Sequence, residues 1–389
     1  MISKRAQKIL PSATMSISTK AGEMKKNGID VISLSAGEPD FDTPQSIKNE
    51  AIKAINEGFT KYTPTSGTKE LKQAICDKLE KDNKLTYKPE NILVSNGAKH
   101  VLANLILTLI NPGDEVLIPI PYWVSYAEMV GLAEGRCIFL PANKAFKITP
   151  QTIKKYTTAK TKLLILCSPS NPTGAVYSQE ELEAIAQVCL KENIFVISDE
   201  IYEKLIYGKT HYSIAQVSPE MKKMTAVVNG VSKAYAMTGW RIGYAAAEAD
   251  IIKSASKIQD HTTSNPNSIA QKAAHAALTG DQSFIKDMKA TYKKRRDYMV
   301  KRLNAIKGIA TQTPDGAFYV FPDISKLYKK GGIKNSAEFC EQLLEIAHVA
   351  AVPGSAFGDD NCIRLSYATS DENIKKALDR IETFVQKIK

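Results

Sequence analysis

Lys233 follows a run that reads as a short buried strand, Thr225-Ala226-Val227-Val228-Asn229, which ends in a turn at Gly230. A lysine amine desolvated at such a strand end loses basicity and becomes a nucleophile. Further along the same segment, Arg241 offers a planar guanidinium suited to a phosphate. Two other apolar runs end in polar groups of different kinds. Ile194-Phe195-Val196-Ile197-Ser198 leads into Asp199-Glu200-Ile201-Tyr202, and Lys162-Leu163-Leu164-Ile165-Leu166-Cys167 leads into Ser168-Pro169-Ser170-Asn171-Pro172-Thr173-Gly174. The prolines flanking Asn171 stiffen its loop. In open α/β sheets, ligands gather at the carboxyl ends of the strands, so these groups are expected to converge.

A nucleophilic lysine, a phosphate-binding arginine and a carboxylate for a protonated pyridine nitrogen are what pyridoxal 5′-phosphate (PLP) requires. Asp199 is the candidate for that carboxylate, which keeps the ring an electron sink. Tyr202 and Asn171 are candidates to hydrogen-bond the ring hydroxyl oxygen. Arg364 lies inside an otherwise strand-like run, Cys362-Ile363-Arg364-Leu365-Ser366. An arginine in a half-buried strand needs an anion, and a substrate α-carboxylate held bidentately suits it.

The elements that must hold these residues are legible as alternation. Helical patterns near 44–57, 68–82, 99–110, 122–132, 178–191 and 266–278 interleave with strand-like runs near 92–95, 115–120, 136–140, 162–167, 194–198, 225–229 and 242–246. This predicts an α/β fold with a mainly parallel, doubly wound sheet covered on both faces. After a long helical region near 284–304 come strands near 317–321, 349–352 and 362–366 and helices near 336–347 and 371–388, the pattern of a smaller α+β domain. No internal repeat or low-complexity linker is present.

Several runs occur in one family's order: Ser35-Ala36-Gly37-Glu38-Pro39-Asp40-Phe41, Lys61-Tyr62-Thr63, Pro121-Tyr122-Trp123, Asn171-Pro172-Thr173-Gly174, Asp199-Glu200-Ile201-Tyr202, Lys233, and Arg364-Leu365-Ser366-Tyr367-Ala368. On these, nearly the whole chain resembles the class I aminotransferases of PLP fold type I, and among them the bacterial aspartate aminotransferase subgroup Ib. The resemblance implies a large PLP-binding domain over 44–285 and a small domain of 1–43 with 286–389. It implies that Gly97, Ala98 and Lys99 form a phosphate cup, completed by Ser232 and Arg241. The cup follows a strand and opens a helix, where backbone N–H groups favour an anion. It further implies that Trp123 lies against the cofactor ring and that Gly37 offers its backbone to the substrate α-carboxylate. Tyr62 would reach the phosphate of a neighbouring subunit's cofactor, which implies a homodimer. In aspartate-specific members of this subgroup, a lysine matching Lys99 contacts the distal carboxylate of the substrate.

Composition narrows the alternatives. The chain has 389 residues, 43% hydrophobic and 24% charged, ordinary for a globular protein and long enough for two domains sharing a site. Its longest apolar stretch, 101–110, contains Asn104 and is too short to span a bilayer. The N-terminus carries Lys4, Arg5 and Lys8 and no acid before Glu23, a pattern shared with transit peptides. The family resemblance already begins by Ser12, and there is no apolar core of a secretory signal. Six cysteines (Cys76, Cys137, Cys167, Cys189, Cys340 and Cys362) show no paired spacing, which points to reduced thiols in the cytoplasm. Five histidines show no ligand spacing, and no metal site is expected. The net charge of +11 concentrates in 289–302, where Tyr292, Met299 and Leu303 recur at helical spacing. This is an amphipathic helix with a solvated basic face, without a nucleic-acid-binding signature.

The expected activity is transamination between L-aspartate and 2-oxoglutarate, with Lys233 as catalytic base and PLP as cofactor. Two other readings use the same residues: a different specificity (prephenate, aromatic or alanine transamination, or a PLP lyase), and a non-catalytic binding or regulatory protein on an aminotransferase-like fold. Retention of every expected catalytic residue speaks against the latter.

Overall fold

A computed structural model describes residues 1–328 and 331–388; positions 329, 330 and 389, within the expected small-domain range, lie outside the described residues. The strands, in chain order, are β1 (Ile32–Ser33), β2 (Ile92–Asn96), β3 (Glu115–Ile120), β4 (Arg136–Pro141), β5 (Thr161–Cys167), β6 (Phe195–Asp199), β7 (Thr225–Gly230), β8 (Ile242–Ala246), β9 (Tyr319–Val320), β10 (Val349–Ala350), β11 (Val352–Pro353) and β12 (Ile363–Ser366). The main sheet has the order β2-β8-β7-β6-β5-β3-β4. Strands β3 to β7 run parallel where they pair, and β8 runs antiparallel to both β2 and β7. The reversal has a local cause. Only the segment 231–241 joins β7 to β8, too short for a parallel crossover, which needs a dozen or more residues.

The alternating side chains of β5 show how the sheet is buried. Leu163 and Ile165 enter one apolar cluster, and Leu164 and Leu166 enter another on the opposite face. The covering helices are specified locally. Gln179–Lys191 starts with a capping box between Ser178 and Glu181 and buries Leu182, Ile185, Ala186 and Cys189 at helical spacing.

One helix absent from the expected elements carries a polar residue on its buried face. Ala249–Thr262 buries Ile252 and Ala255 together with the polar Gln259. The Gln259 amide donates to Thr65 O (2.7 Å) and Val94 O (2.8 Å) and accepts from Ser95 (2.5 Å) and Asn104 (3.0 Å). A polar residue satisfied this fully occupies a core position and breaks the hydrophobic period.

A second core joins Ile32 and Leu34 to residues of 288–385 and takes in Ile201, Tyr202, Leu205 and Tyr207 from the segment after β6. There β1 pairs in parallel with β10, and β11, β12 and β9 form an antiparallel sheet. The N-terminal segment also forms a helix, Ala13–Lys26, in which only Ala21 among the described residues is buried. The basic run lies on Ser283–Ala305, which buries Met288, Tyr292, Met299 and Leu303. Its charges are engaged by acids: Arg295 with Asp40 and Asp371, and Arg302 with Asp379 and Glu382.

Candidate active site

The carboxyl ends of β5, β6 and β7 open into a cavity of about 570 Å³ between the main sheet and the second core. Its charged lining comprises Lys99, Lys233, Arg241 and Arg364 against Asp199 and Glu38, an excess of cations that suits an anionic ligand.

The deep wall is buried. Asp199 ends β6 with 4% exposure, and burial pushes its carboxyl up to about 6. The Tyr126 hydroxyl donates to its Oδ2 at 2.6 Å, and the Ile201 N–H donates to its Oδ1 at 3.3 Å. Lys233 reaches across the cavity and donates to Gly37 O at 2.5 Å. Burial pulls its amine down to about 8, so a useful fraction is neutral near neutral pH. The Tyr202 and Tyr319 hydroxyls meet at 2.8 Å, both buried.

Arg364 on β12 is 2% exposed. It donates to Asn171 Oδ1 at 3.1 Å and to Ser35 O at 2.7 Å, while its buried Nε has no partner. The rings of Tyr319 and Phe357 lie 4.5 and 5.1 Å from the guanidinium carbon. Among the described residues no carboxylate pairs with Arg364, leaving an uncompensated buried cation in a cavity wall. An incoming carboxylate supplies what it lacks. Gly37 stands close by, and a Cβ there would lie 3.2 Å from the Tyr319 hydroxyl.

The opposite end is a cradle for a smaller anion. The helix Ala98–Leu109 begins after Gly97 with no capping side chain and no acid in its first turn. Gly97 has φ +83, and a Cβ on it would lie 2.5 Å from Arg241 Nη2. At Gly243 a Cβ would run into the Ala98 backbone nitrogen. Both glycines therefore permit a close backbone approach that any side chain would fill. Arg241 adopts a left-handed φ of 55, sits at the surface, and is steadied by Thr238 O at 2.8 Å. Such strain in a non-glycine residue commonly marks a functional site.

Gly37, Ala98, Lys99, Trp123, Asn171 and Asp199 all line the cavity, as do Tyr202, Ser232, Lys233, Arg241 and Arg364. Gly97 backs it through Arg241. Tyr62 does not reach it; its side chain is 90% exposed in the single chain. Lys99 stands over the Trp123 ring at 5.0 Å, its amine pulled down by partial burial and then by Arg241. The lining also contains groups that sequence reasoning did not single out: Tyr126, Tyr319, and Ser12, Thr14, Met15 and Ser18 around the N-terminal helix. Tyr126 is the one with a local signal, since it follows Pro121-Tyr122-Trp123 within one turn.

The one grouping of potential metal ligands among the described residues is Glu200, Glu203 and His211. It already contains an ammonium, because Lys78 pairs with Glu203.

A sequence profile of the family Aminotransferase class I and II matches residues 29–381. The chain belongs to this family. An aspartate aminotransferase of Bacillus sp. (strain YM-2) is 50% identical over 389 residues, covering 99% of each chain. An aspartate/prephenate aminotransferase of Nitrosomonas europaea is 48% identical over 394 residues, again covering 99% of each. The crystal structure of the aspartate aminotransferase from Rhizobium meliloti superposes with a TM-score of 0.96 at 42% identity, covering 100% of both chains. The aminotransferase acts on amino acids and 2-oxo acids, the substrates common to its family.

Proposed function

We propose that this aminotransferase uses PLP to pass the amino group of L-aspartate to 2-oxoglutarate, giving oxaloacetate and L-glutamate in a ping-pong cycle. The observation that carries the reading is a pair of cations with no carboxylate partner among the described residues: Arg364 at the back of the cavity and Lys99 at its mouth. A dicarboxylic substrate satisfies both. The names carried by the Bacillus and Rhizobium relatives support the same choice.

The residues fit the cofactor. The open helix start after Gly97, with Ala98, Lys99, Ser232 and Arg241, would hold its phosphate. Asp199 would face the ring nitrogen, Tyr202 and Asn171 the ring oxygen, and Trp123 the ring face. Tyr62 of the partner subunit would complete the phosphate site in a homodimer. Bound PLP supplies an electron-withdrawing ring that makes the Cα–H of an attached amino acid acidic.

The protein's own groups do the rest. Arg364, with the Gly37 backbone beside it, fixes the α-carboxylate and so places Cα. Lys99 orients the side chain through its distal carboxylate. Lys233, with its basicity lowered, would take the Cα proton as general base and, once protonated, serve as the acid that gives it back. Asp199 keeps a negative charge opposite the ring nitrogen throughout.

We place the lobes at 44–285 and at 1–43 with 286–389. We assign the enzyme to the cytoplasm, in keeping with six unpaired cysteines. No described helix is long and apolar enough to cross a membrane.

A second reading, prephenate or aromatic amino acid transamination, is favoured by the Nitrosomonas relative and by the apolar surfaces of Met15, Leu102 and Trp123 in the same cavity. A panel of initial rates separates them: aspartate, glutamate, phenylalanine and alanine as donors to 2-oxoglutarate, then prephenate as acceptor. Aspartate and glutamate should give the highest kcat/KM. An alanine rate equal to that of aspartate would overturn the dicarboxylate assignment.

A further inference from the structure

Asp199 is a buried carboxylate with no lysine or arginine within ion-pair distance among the described residues, yet the reading above requires it to be charged and aimed. The titratable groups that face it are Cys167 at the end of β5, Glu200 next in the chain, Lys233 after β7, and Tyr126. Of these, only Tyr126 donates a hydrogen bond, at 2.6 Å. Its ring is 2% exposed and meets Trp123 edge to face, with centroids 5.4 Å apart at 84°. The packed ring holds the hydroxyl against Asp199, with the Cys167 thiol as its other polar neighbour. It occupies Oδ2, while Oδ1 takes the Ile201 N–H at 3.3 Å.

We propose that Tyr126 is a positioning residue for the cofactor: its hydroxyl keeps Asp199 ionised and oriented toward the ring nitrogen. The proposal rests on the PLP reading. Charge-assisted O–H···O⁻ bonds are short and stronger than neutral ones, and the observed distance lies in their range. Among the influences on Asp199, burial opposes the charge most, and the Tyr126 bond is the largest that supports it.

Tyr126→Phe removes the donor and keeps the ring against Trp123. The Asp199 carboxyl already titrates above its ordinary range. As pH falls through that value it is protonated and the ring nitrogen loses its partner. Without the hydroxyl this happens at higher pH. Equilibrium PLP binding, measured from about pH 5 to 9, should lose affinity on acidification with a midpoint about one unit higher than wild type, or roughly 5-fold weaker binding near pH 6, approaching about 10-fold at pH 5, and little change at pH 8. In the cofactor-free protein, NMR of labelled aspartate should show the Asp199 carboxyl titrating higher by the same amount. Tyr177→Phe, which removes a buried hydroxyl that accepts from Ile148 N–H, controls for general loss of a tyrosine hydroxyl and should leave the midpoint in place.

Equal midpoints in wild type and Tyr126→Phe overturn the proposal. If the variant does not fold, labelled tyrosine in the wild type decides: one resonance must titrate with the Asp199 midpoint, and its absence overturns the proposal. Failure of the wild type to bind PLP at any pH removes the cofactor reading instead, while the cofactor-free titration still tests the Tyr126–Asp199 pair.

Discussion

The wall and the mouth of the cavity are built on opposite principles. At the wall, Asp199, Tyr202, Tyr319 and Arg364 are 4% exposed or less, sit on or just after strands, and carry shifted pKa values with burial as the first cause. At the mouth, Lys99 and Arg241 lie at the surface on a helix start and a turn. Chemistry that moves a proton needs groups whose basicity differs from that in water, and at this wall removal from water is the first cause of the difference. Capturing a charged ligand favours cations nearer to water; Arg241 is one, while Lys99 is desolvated only in part, enough to lower its amine. Lys233 joins the two, partly buried and bonded to Gly37 O from the other core.

The largest expected effect tests the joint itself. Lys233→Ala should retain PLP through Asp199, Arg241 and the cradle after Gly97 but lose turnover by more than the roughly 10²–10⁴-fold typical of a lost general base. Wild-type protein should show a visible absorbance band that borohydride abolishes as it fixes the cofactor covalently on Lys233. Capture of PLP by cofactor-free protein should speed up as pH rises through about 8, where the amine loses its proton. Wild-type rates in Lys233→Ala would remove the catalytic role and with it the distinction between wall and mouth.

Asp199→Asn tests the wall alone. It preserves shape and removes charge, and the half-reaction should slow by on the order of 10²–10³-fold while PLP affinity falls much less. Stopped-flow measurement of a single half-reaction reads this directly; an unchanged rate would show that the buried charge is not used.

The smallest effect belongs to the mouth and should be selective. Lys99→Ser should lower kcat/KM for aspartate and glutamate by about 10- to 100-fold and leave alanine and phenylalanine nearly unchanged. An equal fall for acidic and neutral donors would reassign Lys99 to the phosphate.

Fold and site were legible to different depths. The strands before Asn171, Asp199 and Lys233 announce themselves as apolar β-branched runs ending in polar groups, and the structure places β5, β6 and β7 there. The helix Ala249–Thr262 was not among the expected elements; it buries Ile252 and Ala255, and the third buried position on that face is the polar, fully bonded Gln259. The antiparallel turn of β8 was missed although its cause, the short segment 231–241, is visible in the chain. Tyr62 is the converse case: only family resemblance gives it a role, and a single chain leaves it 90% exposed.

The amino-acid sequence by itself determined the chemical types in the site and their attachment to strand ends, since strand periodicity and breaker residues are local properties that a chain carries wherever it folds. Only the tertiary structure decided which of those groups meet. Tyr126 reaches Asp199 from 73 positions away, Tyr319 reaches Tyr202 from 117, and Arg364 reaches Asn171 from 193. Contacts at such separations leave no periodic trace. The basicity of Lys233 and Asp199 was decided there too, because desolvation depends on everything packed around a group and not on its neighbours in the chain.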